Sequence, residues 1–498
     1  MSSLPQPPSL MQIITAATRD VPKVSPTAKQ DCSDVIHLTF FFDGTGNNRD
    51  ADAAGQRWSN VARLYDAAMA DPSKGIYRFY ISGVGTPFNG EASWVDKPDV
   101  WLEDTLLGGA FGAGGDRRLI DGEDHLNQAL RQALVNNARK VGGEVKQYVE
   151  KNKSASLNDL NQAIGAHRLI KVVNISVIGF SRGAALSRAF VNMLVGQCKK
   201  QGVGSLTLNG FPVRFTFLGL FDTVASFGLP AHNLTLPQEQ RDLRIPTCVE
   251  RCVHYVAANE LRYSFPVDLI RESGRYHAGW TEKVYPGVHS DIGGGYGPKE
   301  QNLDGNYARI PMADMYQEAL KAGVRLLSQA EIKSTLAPIA DRFTVKPETQ
   351  QSYQNYMIAV RPPGTSVEAD MKCHMKAYYE SNGTLSRRKQ PLVGQESFNQ
   401  NSVKHAMWGT IDIEAPAYAE ALKTHRDVVV TNRGTREERV FFYTFKPEQW
   451  RLDAWMTNAS DSIVNFFAHY VHNSKVDFVA NVEPFSYFRP RGVFEQKS

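Results

Sequence analysis

Residues 171–195 read KVVNISVIGFSRGAALSRAFVNMLV, and the interpretation of this stretch decides the fold. Val172, Val173, Ile175, Val177 and Ile178 form an apolar run of the kind buried in a largely parallel sheet. Ala184, Ala185, Leu186, Ala189, Phe190 and residues 193–195 predict a helix whose apolar face packs on that sheet. Between them stands Gly179-Phe180-Ser181-Arg182-Gly183, a G-x-S-x-G turn of the nucleophile-elbow type. The backbone of such an elbow turns so sharply that a Cβ two residues either side of the serine would strike the neighbouring strand or helix. The turn exposes Ser181 Oγ above the sheet, at the positive end of the following helix. A bare G-x-S-x-G recurs by chance as a glycine-rich turn; the strand before it and the helix after it make this one specific.

Composition sets the outer limits. A chain of 498 residues holds two or three domains, or one large α/β domain with insertions. Hydrophobic content of 42% and charged content of 22% are ordinary for a globular protein. A net charge of +4 is small for this length and argues against a nucleic-acid partner, while remaining compatible with weak attraction to anionic lipid. No apolar run approaches the ~18 residues of a membrane span. The first 29 residues carry Pro5, Pro7, Pro8, Pro22 and Pro26 but no signal-peptide core. The expectation is a protein that stays in the cell or leaves without a cleavable signal. Cysteines at 32, 198, 248, 252 and 373 form no disulfide framework. Cys248, Cys252 and His254 have half the spacing of a zinc site, but no second close pair completes it, and buried free thiols are the expected reading.

Strands alternating with helices indicate α/β architecture, here a mainly parallel sheet with helices on both faces. Residues 37–42, 77–82, 213–221 and 280–285 read as strands; 59–69, 121–151, 249–265, 313–330 and 461–472 read as helices. Residues 107–115, with five glycines, read as a flexible apolar loop near the site, since neither a P-loop nor a dinucleotide fingerprint is present. Residues 343–440 read as irregular. The resulting division is a proline-rich arm (1–34), a catalytic domain (35–305), an accessory region (306–455), and a C-terminal helix and tail (456–498) packing back on the catalytic domain.

A serine alcohol needs a base, and the base needs an orienting acid. Asp222 closes the strand-like 213–221, and His289 lies in a glycine-rich loop after 280–285, matching the order Ser, Asp, His. Asp291 rivals Asp222 but sits too close in sequence to His289 to reach its far nitrogen; it reads as a loop anchor, with Arg182 as a candidate partner. The oxyanion hole needs two backbone N–H groups. Arg182 supplies one, and the loop Asp43-Gly44-Thr45 is best placed for the other, with Gly44 or Thr45 as donor. An alternative is metal-dependent hydrolysis through Asp43, His289 and Asp291. A further alternative is a hydrolase-like scaffold that only binds. The serine reading calls for no cofactor and no metal.

Residues 41–48 (FFDGTGNN), 179–184 (GFSRGA), 221–224 (FDTV) and 286–296 (PGVHSDIGGGY) together resemble the first family of type VI secretion lipase effectors. These are bacterial antibacterial phospholipases with an α/β-hydrolase catalytic domain. Residues 471–474 (VHNS) resemble that family's C-terminal helix, with Asn473 where an aspartate is usual. The resemblance implies Ser181 as nucleophile, Asp222 as acid and His289 as base, acting on membrane phospholipids. It also implies a secretion spike protein and a cognate immunity protein as partners, synthesis in the cytoplasm and action in a rival's periplasm. A lipid must lift its ester out of the bilayer, so Phe180, Trp101 and Phe111 are the candidate substrate-binding residues at an apolar mouth, with part of 310–455 docking on the membrane.

Overall fold

The computed structural model describes residues 34–86, 109–164, 167, 169–201, 205–225, 242–262, 265–394, 419–424, 428–432, 441–445, 448–476 and 491–496. Strand β1 (Val35–Phe42) lies between β2 (Ile76–Ile81) and β3 (Val172–Phe180), parallel to both. A short hairpin, β4 (Lys199–Gln201) and β5 (Ser205–Leu208), turns at Asn209-Gly210 into β6 (Phe211–Phe221). Both turn residues have positive φ, 52° and 80°, the backbone that a two-residue Asn-Gly hairpin requires. The first residues of β6 therefore pair antiparallel with β5, whereas its last four pair parallel with β7 (Cys252–Ala257). Strand β9 (Trp280–Tyr285) extends the parallel order beyond β7, giving β2-β1-β3-β6-β7-β9 with β5 and β4 branching from β6. Strand β8 (Val267–Glu272) lies apart, paired in parallel with the late strand Val493–Gln496.

The sheet is buried on both faces, and alternate side chains sort into two cores. Phe40, Phe42, Val173, Ile175 and Val177 join the helices Gly109–Val141 and Arg182–Gln197 on one side. Phe41, Ile178 and Phe180 join the helices Asn60–Ala67, Arg309–Lys321 and Asp461–Tyr470 on the other. All nine residues of β3 are buried. Burying each Val or Ile there stabilises the fold by roughly 1.5–3 kcal/mol.

The strand expectations at 37–42, 77–82, 213–221 and 280–285 hold within a residue or two, as do the helices of 59–69 and 461–472. Three others do not. Residues 249–265 are not helical: Cys252–Ala257 is a strand, buried on both faces and paired with β6 and β9. A doubly buried strand shows no alternation, and a short apolar run then fits either period. The glycine-rich 107–115 is no loop from Gly109 onward, because the helix Gly109–Val141 begins there. Its later glycine, Gly122, shows what the residue is for: an added Cβ would lie 2.9 Å from the Phe190 ring. Residues 343–440 are not irregular throughout. They contain the helices Pro347–Val360 and Val367–Arg387, whose buried sides are Tyr353, Tyr356, Met371, Met375, Tyr378 and Tyr379. The helical stretch at 121–151 breaks at Gly142-Gly143, and that at 313–330 breaks at Gly323, all three with positive φ.

The elbow glycines behave as the steric argument requires. A Cβ on Gly179 would meet Ser187 Oγ at 2.3 Å and Gly183 O at 2.6 Å. One on Gly183 would meet Asp43 O at 2.2 Å and Phe42 O at 2.4 Å. The elbow is thus pressed against the end of β1 with no room for a methyl group. Gly183→Ala should destabilise the fold by ~1–3 kcal/mol or more. An unchanged denaturation midpoint in urea would contradict this packing.

Candidate active site

Ser181 sits between β3 and the helix Arg182–Gln197 with φ 59° and ψ −126°, outside the regions a serine normally occupies. The strain is held by hydrogen bonds: its N–H donates to Phe221 O at 3.0 Å, and its carbonyl accepts from Ala184, Ala185 and Val224 N–H. The bond from Val224 ties the elbow to the loop carrying Asp222. That residue also has positive φ, 43°, and is completely buried.

Asp222 Oδ2 lies 2.5 Å from His289 Nδ1. Its Oδ1 accepts from Ala257 N–H at 2.8 Å, and the Arg491 guanidinium spans both oxygens at 2.7 and 2.8 Å. Burial pushes the Asp222 carboxyl up, but the Arg491 charge and the His289 contact more than reverse this and hold it well below the usual carboxylate range. His289 is pulled below its ordinary value, because burial outweighs the attraction of Asp222. With Nδ1 occupied by Asp222, the other ring nitrogen, Nε2, is buried and has no hydrogen-bond partner among the described residues. The imidazole is wedged between Phe180, the residue before Ser181, at a centroid distance of 4.6 Å, and Phe265 at 5.0 Å. Asp222, just past β6, and His289, the first residue of the short helix His289–Gly293 after β9, thus form a direct pair, and Phe180 sets the elbow against the imidazole, while no hydrogen bond joins Ser181 Oγ to His289 Nε2.

Asp291 takes no part in that pair, and its expected partner Arg182 is not the one found. Its Oδ1 lies 2.6 Å from His472 Nδ1, and its Oδ2 accepts from the N–H of Val288 and of His472. The His472 ring stacks on Tyr296 at 3.9 Å. The carboxylate is used to bind the segment Val471-His472-Asn473-Ser474 to the loop behind the site.

Asp43 is likewise engaged. Gly44 N–H donates to its Oδ1 at 2.7 Å, while Ser59 Oγ and Tyr80 OH donate to its Oδ2 at 2.8 and 2.6 Å. Burial raises its carboxyl to about 6, against the lowering effect of these donors. Gly44 N–H is thereby turned toward Asp43 rather than toward a substrate, which corrects its expected role as donor. Thr45 remains, and its hydroxyl is buried without a partner among the described residues. Gly44 packs against the Phe180 ring, where a Cβ would fall at 2.7 Å. Phe180 itself is buried beneath the imidazole rather than lying on an open wall. Arg182 flanks Ser181 half-buried, its guanidinium lowered to about 9 by burial and then by the charge of Arg262. Trp101 lies outside the described residues, as does the side chain of Phe111. Among the described residues no three His, Cys, Asp or Glu side chains gather as a metal cluster, and Asp43, His289 and Asp291 each serve a different partner. Cys252 is buried, Cys248 is half-buried, and His254 binds elsewhere: Thr223 N–H donates to its Nε2, and its Nδ1 meets Glu282 at 2.7 Å.

The family model for the type VI secretion phospholipase effector Tle1-like catalytic domain matches residues 37–204 and 199–318, more than half of the chain. This chain belongs to the Tle1-like phospholipase effectors of type VI secretion. The matched span contains Ser181, Asp222 and His289 and ends before His472 and Arg491. A crystal structure of an uncharacterized protein from Pseudomonas aeruginosa aligns over 93% of this chain and 79% of that one, with 23% identity and a TM-score of 0.63, a likeness of fold. The structure of the Tle1 effector bound to the VgrG spike from the type 6 secretion system aligns over 68% of this chain and 83% of that one, with 16% identity and a TM-score of 0.41. None of the curated proteins matches this Tle1-like chain.

Four residues of the site escaped the sequence reading. Arg491 and Glu260 carry no local signal; Glu260 sits just past a strand that looked helical, accepting His289 N–H at 3.1 Å and Ser474 Oγ at 2.7 Å. His254 looked like half a zinc site. His472 was visible only through the VHNS likeness. Asp222→Asn should lower phospholipase turnover by ~10³–10⁴-fold, by removing the acceptor that fixes the His289 tautomer. Asp291→Asn should instead lower thermal stability and leave turnover within about tenfold. Swapped outcomes would move the acid role to Asp291. With His289 as a base that must be unprotonated, kcat/KM should rise with pH through a pKa below the ordinary ~6.5 and be flat at neutrality. An acid limb centred above pH 7 would contradict the assigned environment.

Proposed function

We propose that this effector is a serine-dependent phospholipase A, hydrolysing an acyl ester of membrane glycerophospholipids, with Ser181, Asp222 and His289 as its triad. The observation that carries the reading is the 2.5 Å Asp222–His289 pair set against the strained Ser181 turn. Ser181 Oγ attacks the ester carbonyl carbon as His289 Nε2 takes its proton. The oxyanion is met by Arg182 N–H and by Thr45. Collapse breaks the acyl C–O bond, His289 returns the proton to the departing glycerol oxygen, and a lysophospholipid leaves. Water, deprotonated by His289, then frees the fatty acid and Ser181. We read the sheet as an α/β-hydrolase arrangement within 35–305, supported by the parallel order and by the placement of the elbow after β3, the acid after β6 and the histidine after β9. Residues 1–34 form an arm in this reading, 306–455 an accessory and membrane-docking region, and 456–498 a helix and tail returning to the catalytic domain.

Membership of the family supports one biological setting. The protein is an antibacterial toxin, carried by a secretion spike protein from the producing cytoplasm to a rival's periplasm and neutralised at home by a cognate immunity protein. No described helix is long and apolar enough to cross a membrane, and in this reading the enzyme works on lipid from the bilayer surface. Trp101 and Phe111 border the entrance in this reading.

Ser181→Ala should abolish release of lysophospholipid from vesicles, and a serine-directed phosphonate should label and inhibit the parent while a chelator does not. Chelator-sensitive, phosphonate-resistant hydrolysis would replace the triad with a metal mechanism. Trp101→Ser and Phe111→Ser should lower hydrolysis of vesicles about tenfold more than hydrolysis of a soluble short-chain ester. Equal losses on both substrates would remove the membrane-entrance role.

A further inference from the structure

We propose that Arg491 is a positioning residue of the hydrolytic site, brought in by the C-terminal strand to aim Asp222 and to set the pH range in which His289 acts as a base. The inference rests on the triad reading above. Strand Val493–Gln496 runs parallel to β8, with Val493 opposite Val267 and Phe494 opposite Asp268. Val267 N–H donates to Gly492 O at 2.9 Å. The Glu495 carboxylate adds an ion pair to Arg271 and accepts from Gly274 N–H. This anchorage leaves Arg491, two residues ahead of the strand, facing inward and only 5% exposed.

Its contacts reach both members of the acid–base pair. Nη1 bridges the two Asp222 oxygens and approaches Ala257 O at 3.3 Å, the same residue whose N–H donates to Asp222. Nε donates to Phe265 O at 2.7 Å, and the Phe265 ring lies edge-on to the imidazole of His289. One guanidinium therefore fixes the carboxylate and, through Phe265, one wall of the imidazole pocket.

The other charges around the pair have partners of their own. Glu260, which holds His289 N–H, is matched by Arg262, and Arg262 lies over Phe265 at 3.5 Å. Asp268 accepts Ala225 N–H, and Arg188 donates to its backbone carbonyl. His254, behind Thr223, is matched by Glu282. Among the described residues Arg491 is the cation in direct contact with Asp222. Without it, a buried carboxylate facing a neutral imidazole would hold a shared proton more tightly. The pair would then titrate at higher pH, because an opposite charge within ~4–6 Å moves a carboxylate by about 1–3 pH units. A merely structural arginine would not move that titration.

The test uses the full-length protein and a soluble short-chain ester, so that membrane contact does not enter. Arg491→Met and Arg491→Gln should shift the acid limb of kcat/KM upward by about one pH unit or more and lower kcat about tenfold or more. Arg491→Lys, which keeps the charge but not the two-oxygen fit, should hold the limb within about 0.3 unit of the parent. An unmoved limb in both neutral variants overturns the inference. If neither neutral variant folds, Arg491→Met is combined with Asp222→Asn, which removes the unmatched buried charge. Recovery of a soluble protein with a cooperative melting transition supports the pairing, and failure of the double variant to fold overturns it. Ser181→Ala is assayed in parallel: residual parental activity there defeats the triad reading itself, whereas a dead Ser181→Ala with an unmoved limb defeats only the role of Arg491.

Discussion

The arrangement of this molecule turns on one buried negative charge. Asp222 has no exposed surface, and an uncompensated carboxylate in such a place carries a penalty of several kcal/mol. Compensation comes from widely separated parts of the chain: the Ala257 amide at the end of β7, the His289 imidazole after β9, and the Arg491 guanidinium ahead of the last described strand. Each of these segments is held in turn by its own pairing. β7 lies between β6 and β9, the His289 loop is bound by Asn259 and Glu260, and the C-terminal strand is bound by β8. The fold can be understood as the framework that brings those donors to one carboxylate.

A second constraint is steric. The loop after β1 meets the elbow backbone at Gly183 and the Phe180 ring at Gly44, and Gly83 of the loop after β2 leaves no clearance to Gly44 O. Arg118 from the long helix donates to Ser82 O and Gly83 O, bracing the loop beside Gly44 from the opposite side. Asp43 adds an electrostatic brace through Ser59 and Tyr80. Both devices keep the turn at residues 43–45 rigid next to Ser181, where pre-set geometry counts for more than chemical reactivity.

What was legible in the sequence was local. The elbow announced itself because strand, glycines, serine and helix are contiguous, β1 and β6 because their apolar runs end in turn residues, and β9 because its short stretch runs into Pro286-Gly287. The order Ser, Asp, His pointed to Asp222 and His289, which the fold pairs directly. What was not legible depended on long-range partners. Cys252–Ala257 is a strand only because β6 and β9 flank it. The helices within 343–440 owe their burial to packing against Asp461–Tyr470 and its neighbours rather than to a strong apolar stripe of their own. Arg491 lies among prolines and aromatics with nothing nearby to announce a role. His472 and Asp291 are 181 residues apart, and neither predicts the other without the three-dimensional fold.

The same distances set an order of assembly. The contact between Asp222 and Arg491 closes a loop of 269 residues, among the longest-range polar contacts described. Contacts so far apart in sequence are costly in chain entropy and form late. Synthesis runs from the N-terminus, so the elbow, the acid and the histidine all leave the ribosome well before residue 491. A nascent chain can therefore hold Asp222 beside His289 while the carboxylate still lacks its countercharge. Of these four side chains, the countercharge is the last to be made.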